Sequence, residues 1–184
     1  MTKKTILIFF LMLPLASNGQ KWAVSTNILD YANFLTLNGD ISYSVHKNWT
    51  VFLSARYNPF VFNSDSSYGK LQNKTATISA GTRYWPFFVY SGFYIGTRVR
   101  WSAFNTGGIV SGRTCQGQAA GAGINAGYSL LLTSFMNMEF GIGAWTGWAG
   151  YSKYSAPVCG RLLGTESKWF ILPDEIKVSL LFTF

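Results

Sequence analysis

Ser91-Gly92-Phe93-Tyr94-Ile95-Gly96-Thr97-Arg98-Val99-Arg100-Trp101-Ser102 alternates with period two. Phe93, Ile95, Val99 and Trp101 fall on one face, and Gly92, Gly96, Arg98 and Arg100 fall on the other. That pattern marks a β-strand lying between two unlike environments. Seven further segments repeat it: 21–31, 38–45, 49–58, 75–85, 119–131, 136–150 and 169–184. In 49–58, for example, Trp49, Val51, Leu53, Ala55 and Tyr57 oppose Thr50, Ser54 and Arg56. In 169–184, Ile176, Val178, Leu180, Phe182 and Phe184 oppose Glu175, Lys177, Ser179 and Thr183. Eight strands of this kind approach the length of about 9–11 residues that a tilted transmembrane strand needs.

Two architectures compete for such a pattern. A soluble eight-stranded barrel turns its apolar face inward and its polar face to water. A transmembrane barrel does the reverse and carries aromatic residues where strands meet the membrane surface. Here the second face is mostly Gly, Ala, Ser and Thr, and the apolar face is rich in Trp, Phe and Tyr at strand ends. Short links at 46–48, 86–89 and 132–135 alternate with long ones at 59–74, 105–118 and 152–168. Short periplasmic turns and long outer loops are the outer-membrane arrangement. The expected fold is therefore an all-β, eight-stranded antiparallel transmembrane β-barrel with both chain ends on the periplasmic side. Phe184 closes an alternating run that is similar to the signal read by the machinery that inserts such barrels.

Composition agrees. The 184 residues include 48% apolar, 17% aromatic and only 12% charged residues, with a formal net charge of +8. A soluble domain carries about 25% charged residues. The aromatic content excludes an intrinsically disordered chain. The cations form no run, which argues against a nucleic-acid binder.

Lys3 and Lys4 precede an apolar stretch at 6–15, followed by Ala16-Ser17-Asn18-Gly19. A basic start, a short apolar core and small residues at the cut make a secretory signal peptide. The apolar stretch is shorter than the roughly 20 residues of a spanning helix. Residues 1–19 are thus expected to be removed, leaving 20–184 as the barrel domain. The two lysines go with the leader, so the mature charge is +6, expected partly in loops and partly in the barrel interior.

An eight-stranded barrel is just wide enough for side chains to fill it. Its inward set would hold Arg56, Arg83, Arg98, Arg100 and Lys177 with Asp40, Glu139 and Glu175. Buried charges must be paired to offset desolvation. Counted from the periplasmic ends, Arg83 and Glu139 share a low level, and Asp40, Arg56, Arg98, Arg100, Glu175 and Lys177 lie higher. The expectation is a two-layer ionic plug that supports the fold rather than an ion or proton path.

His46, the single histidine, falls in a short periplasmic turn beside Lys47 and Asn48. A serine nucleophile needs its base within hydrogen-bonding reach, and this one is at the wrong end for outer-leaflet chemistry. One His and two Cys are too few for a metal cluster, so no catalytic, metal or cofactor site is expected. Cys115 and Cys159 fall in two long loops. An even cysteine count in an exported chain favours a disulfide, with two free thiols the alternative in a reducing habitat.

Ser25-Thr26-Asn27-Ile28-Leu29-Asp30-Tyr31, Arg83-Tyr84-Trp85-Pro86, Gly92-Phe93-Tyr94-Ile95-Gly96 and Tyr151-Ser152-Lys153-Tyr154 with Cys159-Gly160 together resemble a domain-of-unknown-function family. It consists of small outer-membrane barrel proteins of Gram-negative bacteria, and the likeness spans nearly the whole mature chain. The resemblance implies an eight-stranded barrel and outer-membrane residence and supplies no catalytic residues. Many relatives carry a second cysteine shortly before the Cys-Gly. Here Ser155-Ala156-Pro157 stands in that region, so a bridge within that loop is unavailable.

The expected role is that of a non-enzymatic surface barrel, structural or accessory, whose loops meet a protein partner. Tyr68, Lys70, Lys74, Arg113, Lys153, Tyr154, Arg161 and Lys168 would present basic and aromatic groups there, suited to anionic lipopolysaccharide headgroups. A narrow, porin-like ion channel and a lipid-modifying enzyme are the alternatives.

Overall fold

The computed structural model describes residues 21–63, 70–108, 113–155 and 160–184. Their elements are β1 (Trp22–Asn27), a helical turn α1 (Ile28–Ala32), β2 (Leu37–His46), β3 (Trp49–Asn58), β4 (Val61–Asn63), β5 (Lys70–Tyr84), β6 (Gly92–Gly107), β7 (Thr114–Leu131), β8 (Met136–Tyr154) and β9 (Leu162–Thr183). Every pairing is antiparallel, in the order β3-β2-β1-β9-β8-β7-β6-β5-β4, and β3 also pairs with β5. Eight strands therefore close into a ring. The ninth, β4, is a three-residue piece that follows β5 where β3 leaves it, Asn58 facing Thr75 and Val61 facing Gln72. Among the described residues no helix is long and apolar enough to cross a membrane.

The alternation dictates which way each side chain points. On β6, Tyr94, Arg98 and Ser102 are buried, whereas Phe93, Ile95 and Val99 are 47%, 51% and 63% exposed. The same division runs round the ring. Buried residues are mainly polar (Ser25, Thr50, Ser79, Asn125, Ser129 and Ser179 among them), and large apolar side chains are displayed outward.

One end of the ring is floored by Ala23, Trp85, Tyr90, Tyr94 and Leu181. The segment between β5 and β6 folds Trp85 and Tyr90 beneath the strands. Trp85 Nε1 donates to Thr50 Oγ1 at 3.0 Å, and Tyr90 donates to the Lys21 carbonyl at 3.1 Å. Tyr90 adopts a left-handed backbone, φ 63°. Its carbonyl accepts from Asn137 Nδ2 at 2.5 Å and from Ser129 Oγ at 2.8 Å, which holds that conformation in place. Towards the other end, Ala119, Trp145 and Ala149 cluster with Phe104, Tyr151 and Phe170.

Three departures from the expected strands have physical reasons. The first strand stops at Asn27 rather than continuing to Tyr31, because the Asn27 side chain accepts from Leu29 N and caps the turn α1. Strands β5 to β9 run well into segments expected as long loops, since pairings such as Gln72–Gly107, Cys115–Lys153 and Lys153–Gly164 continue the ladders there. The third lies in β9. Gly143 faces Glu175 and Ala144 faces Pro173, so Asp174 has no partner on β8. This is a β-bulge, one extra residue on one strand, and it interrupts the alternation expected through 169–184.

Candidate functional site

Among the described residues the ring encloses ten charged side chains in two sets. Nearer the floor, Arg83 Nη1 lies 3.4 Å from Glu139 Oε1, and Lys177 Nζ lies 2.7 Å from Glu139 Oε2 and 3.1 Å from Asp40 Oδ2. Ser25 Oγ donates to Asp40 at 3.4 Å. Arg83 also stacks over Phe52 and Tyr94, 4.5 and 5.2 Å from their ring centres. Deeper towards the long-strand end, Arg56 joins Asp30 at 2.9 Å and Glu175 at 2.6 Å. Arg98 joins Glu175 at 2.6 Å and Asp174 at 2.5 Å, and Arg100 contacts the other Asp174 oxygen. Arg100 lies over the Trp145 ring at 4.6 Å.

Each set is neutral. The first balances Arg83 and Lys177 against Asp40 and Glu139; the second balances three arginines against Asp30, Asp174 and Glu175. Glu139 and Asp174 side chains are fully buried, where an unpaired charge would cost several kcal/mol, roughly. Pairing therefore explains why a chain so poor in charge keeps these residues inside. Among the described residues the interior carries no net charge, and the excess of basic residues lies outside these two sets.

All eight charged residues singled out from the alternation face the interior. Their grouping differs from the expectation in one respect: Asp40 and Lys177 join Arg83 and Glu139 rather than the higher set. Strand stagger brings Lys177 level with Glu139, to whose neighbour Gly141 it is paired in register. Two members escaped the sequence reading. Asp174 sits where alternation assigns an outward residue, and the bulge turns it inward. Pro173 was the available sign, since proline within a sheet is confined to edges and bulges. Asp30 reaches in from the turn α1, which alternation read as strand.

Cys115 lies half-buried on β7, and the partner considered for it, Cys159, is outside the described residues. His46 ends β2 at the floor end, its carbonyl accepting from Ser44 Oγ at 3.2 Å. Among the described residues no three His, Cys, Asp or Glu side chains are grouped to hold a metal ion. At the long-strand end, Lys153 Nζ meets Glu166 Oε1 at 2.6 Å, and Tyr151 donates to the other oxygen at 2.9 Å. Hydrogen bonds from Lys153 first, then Tyr151, hold the Glu166 carboxyl below its usual range.

The outer wall is organised as sharply as the interior. Ile78, Trp101, Ala120, Trp148 and Trp169 are neighbours in one row across β5 to β9. Towards the floor the outward residues are apolar, including Val99, Ile124, Ile142 and Ile176, and a second aromatic set follows with Trp22, Trp49, Phe93, Tyr128 and Phe140. Beyond the tryptophan row the outward residues become Lys74, Asn105, Gln116, Ser152 and Thr165, again neighbours in register. A model for a protein of unknown function, DUF3575, matches residues 5–184. The chain belongs to this family. No curated protein matches it. DUF3575 thus brings no assigned chemistry, and the geometry of this member has to carry any functional reading.

Proposed function

We propose that this DUF3575 protein is a non-enzymatic integral β-barrel of the Gram-negative outer membrane, exported by a cleaved signal peptide, whose long-strand end meets partners outside the cell. The observation that carries the reading is the outer wall. An apolar belt is bounded by aromatic rows at both margins and gives way to amides, hydroxyls and lysine beyond Trp101, Trp148 and Trp169. Phe93 and Trp101 are eight positions apart on β6. At about 3.3 Å per residue they span roughly 26 Å along the strand. Tilted by about 40°, that is roughly 20 Å of height, close to the belt of about 25 Å in outer-membrane barrels. In water the same belt would leave dozens of apolar side chains exposed without compensation.

In this reading the floor end is periplasmic and the neutral ionic layers brace the wall from within. A channel is disfavoured, because the aromatic floor and two paired layers occupy the path. An enzyme is disfavoured, because His46 is at the periplasmic end, remote from any outer-leaflet substrate. The basic end offers Lys74, Lys153, Arg161 and Lys168 to lipopolysaccharide headgroups or to a surface protein.

Spin labels test the orientation. With both cysteines replaced by serine, single cysteines at Ile124, Val99, Gln116 and Thr165 are labelled in lipid vesicles. Labels at Ile124 and Val99 should be relaxed by dissolved oxygen, and those at Gln116 and Thr165 by an aqueous nickel complex. Nickel access at Ile124 would overturn the membrane reading. In planar bilayers no steady conductance is expected; a salt-dependent one would revive the channel.

A further inference from the structure

β9 is the longest strand, 22 residues, and it is paired on both sides over only part of its length. β8 follows it from Leu162 to Phe182, whereas β1 follows it only from Ser179 to Thr183. The Asn27 side chain carries that pairing a little further, accepting from Val178 N at 3.0 Å and donating to the Ile176 carbonyl at 3.4 Å. The bulge at Asp174, and Pro173, which has no N–H, then blunt the edge inside the apolar belt. Beyond Trp169, residues 162–168 pair with β8 alone among the described residues. On the other flank β3 leaves β5 at Asn58, and β4 covers β5 for three residues. The long-strand end is therefore an open sheet from β4 to β9, standing on a closed ring.

A strand edge with one row of N–H and C=O groups unpaired is a template for another extended chain. Here the template borders a cavity. At this end β3 and β5 to β9 surround a space of about 870 Å³, into which Asn58, Thr75, Phe104 and Tyr151 face, with Thr165 contributing from β9. A strand added to β9 sends successive side chains to opposite faces. Every second one would enter that space and meet amide, hydroxyl and aromatic groups. Charge narrows the partner further. Lys74, Arg113, Lys153, Arg161 and Lys168 stand at this end, and outside the ionic layers Glu166 is the acid described among them. An acidic segment is the complement.

We infer that residues 162–168 of β9 capture an extended acidic segment of another polypeptide. The segment adds as a strand to this edge and lays alternate side chains into the cavity beside Phe104 and Tyr151. This rests on the reading of a partner-binding surface barrel above and names the chemistry of the partner.

The test uses the mature protein in nanodiscs and a blocked peptide of alternating glutamate and valine, about ten residues long to span the edge. Hydrogen exchange read by mass spectrometry should find the amides of 162–168 partly open in the free protein and slowed in the complex. Those of β7 should be unchanged. Methylating the backbone nitrogens of the glutamates, or separately of the valines, should abolish binding in one series and spare it in the other. The reason is that alternate N–H groups of a strand face opposite sides. Lys168→Glu should weaken binding about tenfold, and a lysine–valine peptide should not bind. Equal effects of the two methylation series would indicate charge attraction without strand pairing and would overturn the inference. Full protection of 162–168 before peptide is added would do so too, since the edge would already be covered by the chain itself or a second copy. Failure of the acidic peptide to slow exchange at 162–168 would have the same consequence. The spin-label result separates the two readings: lipid contact at Ile124 without peptide protection removes this inference alone.

Discussion

Asp174 lies against both Arg98 and Arg100 because β9 holds one residue more than β8 at that level. Its Oδ2 is 2.5 Å from Arg98 Nη2, its other oxygen meets Arg100, and its side chain is sealed from solvent. A residue that simple alternation sends outward thus becomes the carboxylate shared by two buried arginines.

Replacing Asp174 with Asn keeps the volume and leaves Arg98 and Arg100 with one fewer charge partner. Breaking a buried pair from one side costs about 3–5 kcal/mol. The urea midpoint in lipid vesicles should fall correspondingly. An unfolding curve superimposed on the wild type would show that the bulge matters and the carboxylate does not.

Lys177 bridges Asp40 and Glu139, so Lys177→Met takes from Asp40 its ion pair and leaves the buried Glu139 with Arg83. It should destabilise more than Asp40→Ala, which itself should melt below the wild type. Adding Glu139→Gln to Lys177→Met removes the excess negative charge and leaves Arg83 to balance Asp40. The double variant should then be more stable than the two single losses sum to, by about 0.5–3 kcal/mol. Strict additivity would mean the two residues do not act as a pair.

The ring leaves room for Tyr94 by placing glycine opposite it. A Cβ at Gly141 would meet the Tyr94 hydroxyl oxygen at 2.8 Å, with the next atom, the Ala126 carbonyl, at 3.3 Å. Gly141→Ala should cost about 1–3 kcal/mol, the usual penalty of overpacking. Tyr94→Phe removes the atom in conflict and should recover part of that loss in thermal unfolding. If it recovers nothing, the backbone rather than the hydroxyl sets the limit.

The Lys153–Glu166 pair is a contrast, being solvated. Lys153→Ala should leave stability close to that of the wild type, because a solvated ion pair contributes little. Because the Glu166 pKa is depressed, its bond to Lys153 is intact above the ordinary carboxylate range and is lost as pH falls through the lowered value. Carboxyl carbon NMR should show the Glu166 titration moving upward in Lys153→Ala. An unmoved titration would assign the shift to Tyr151.

Alternation made β6 readable to the residue, because nothing interrupts its two-residue period from Gly92 to Ser102. It also identified Arg56, Arg83, Glu139 and Lys177 as interior, since a charge on the small-residue face has nowhere else to go. Asp174 and Asp30 were hidden for a common reason: both depend on a break in the period. A bulge moves one, and an Asn27 cap starting a helical turn moves the other. Pairing partners were harder still. Which cation meets Asp40 depends on the stagger between strands far apart in sequence, and a single strand's pattern does not contain it.

The ring is closed by very unequal joins. β8 and β9 share a ladder running from Met136 opposite Phe182 to Tyr154 opposite Leu162, whereas β1 meets β9 only from Ala23 opposite Thr183 to Asn27 opposite Ser179. Above Asn27 the edge of β9 faces the turn α1 instead of a strand. A cylinder built this way behaves like a rolled sheet fastened by a short clasp. Strand β1 holds the ring by four pairs to β2 and five to β9, the shortest joins among the eight strands. That clasp is where the wall is expected to part first, because the six residues Trp22–Asn27 alone close its circumference.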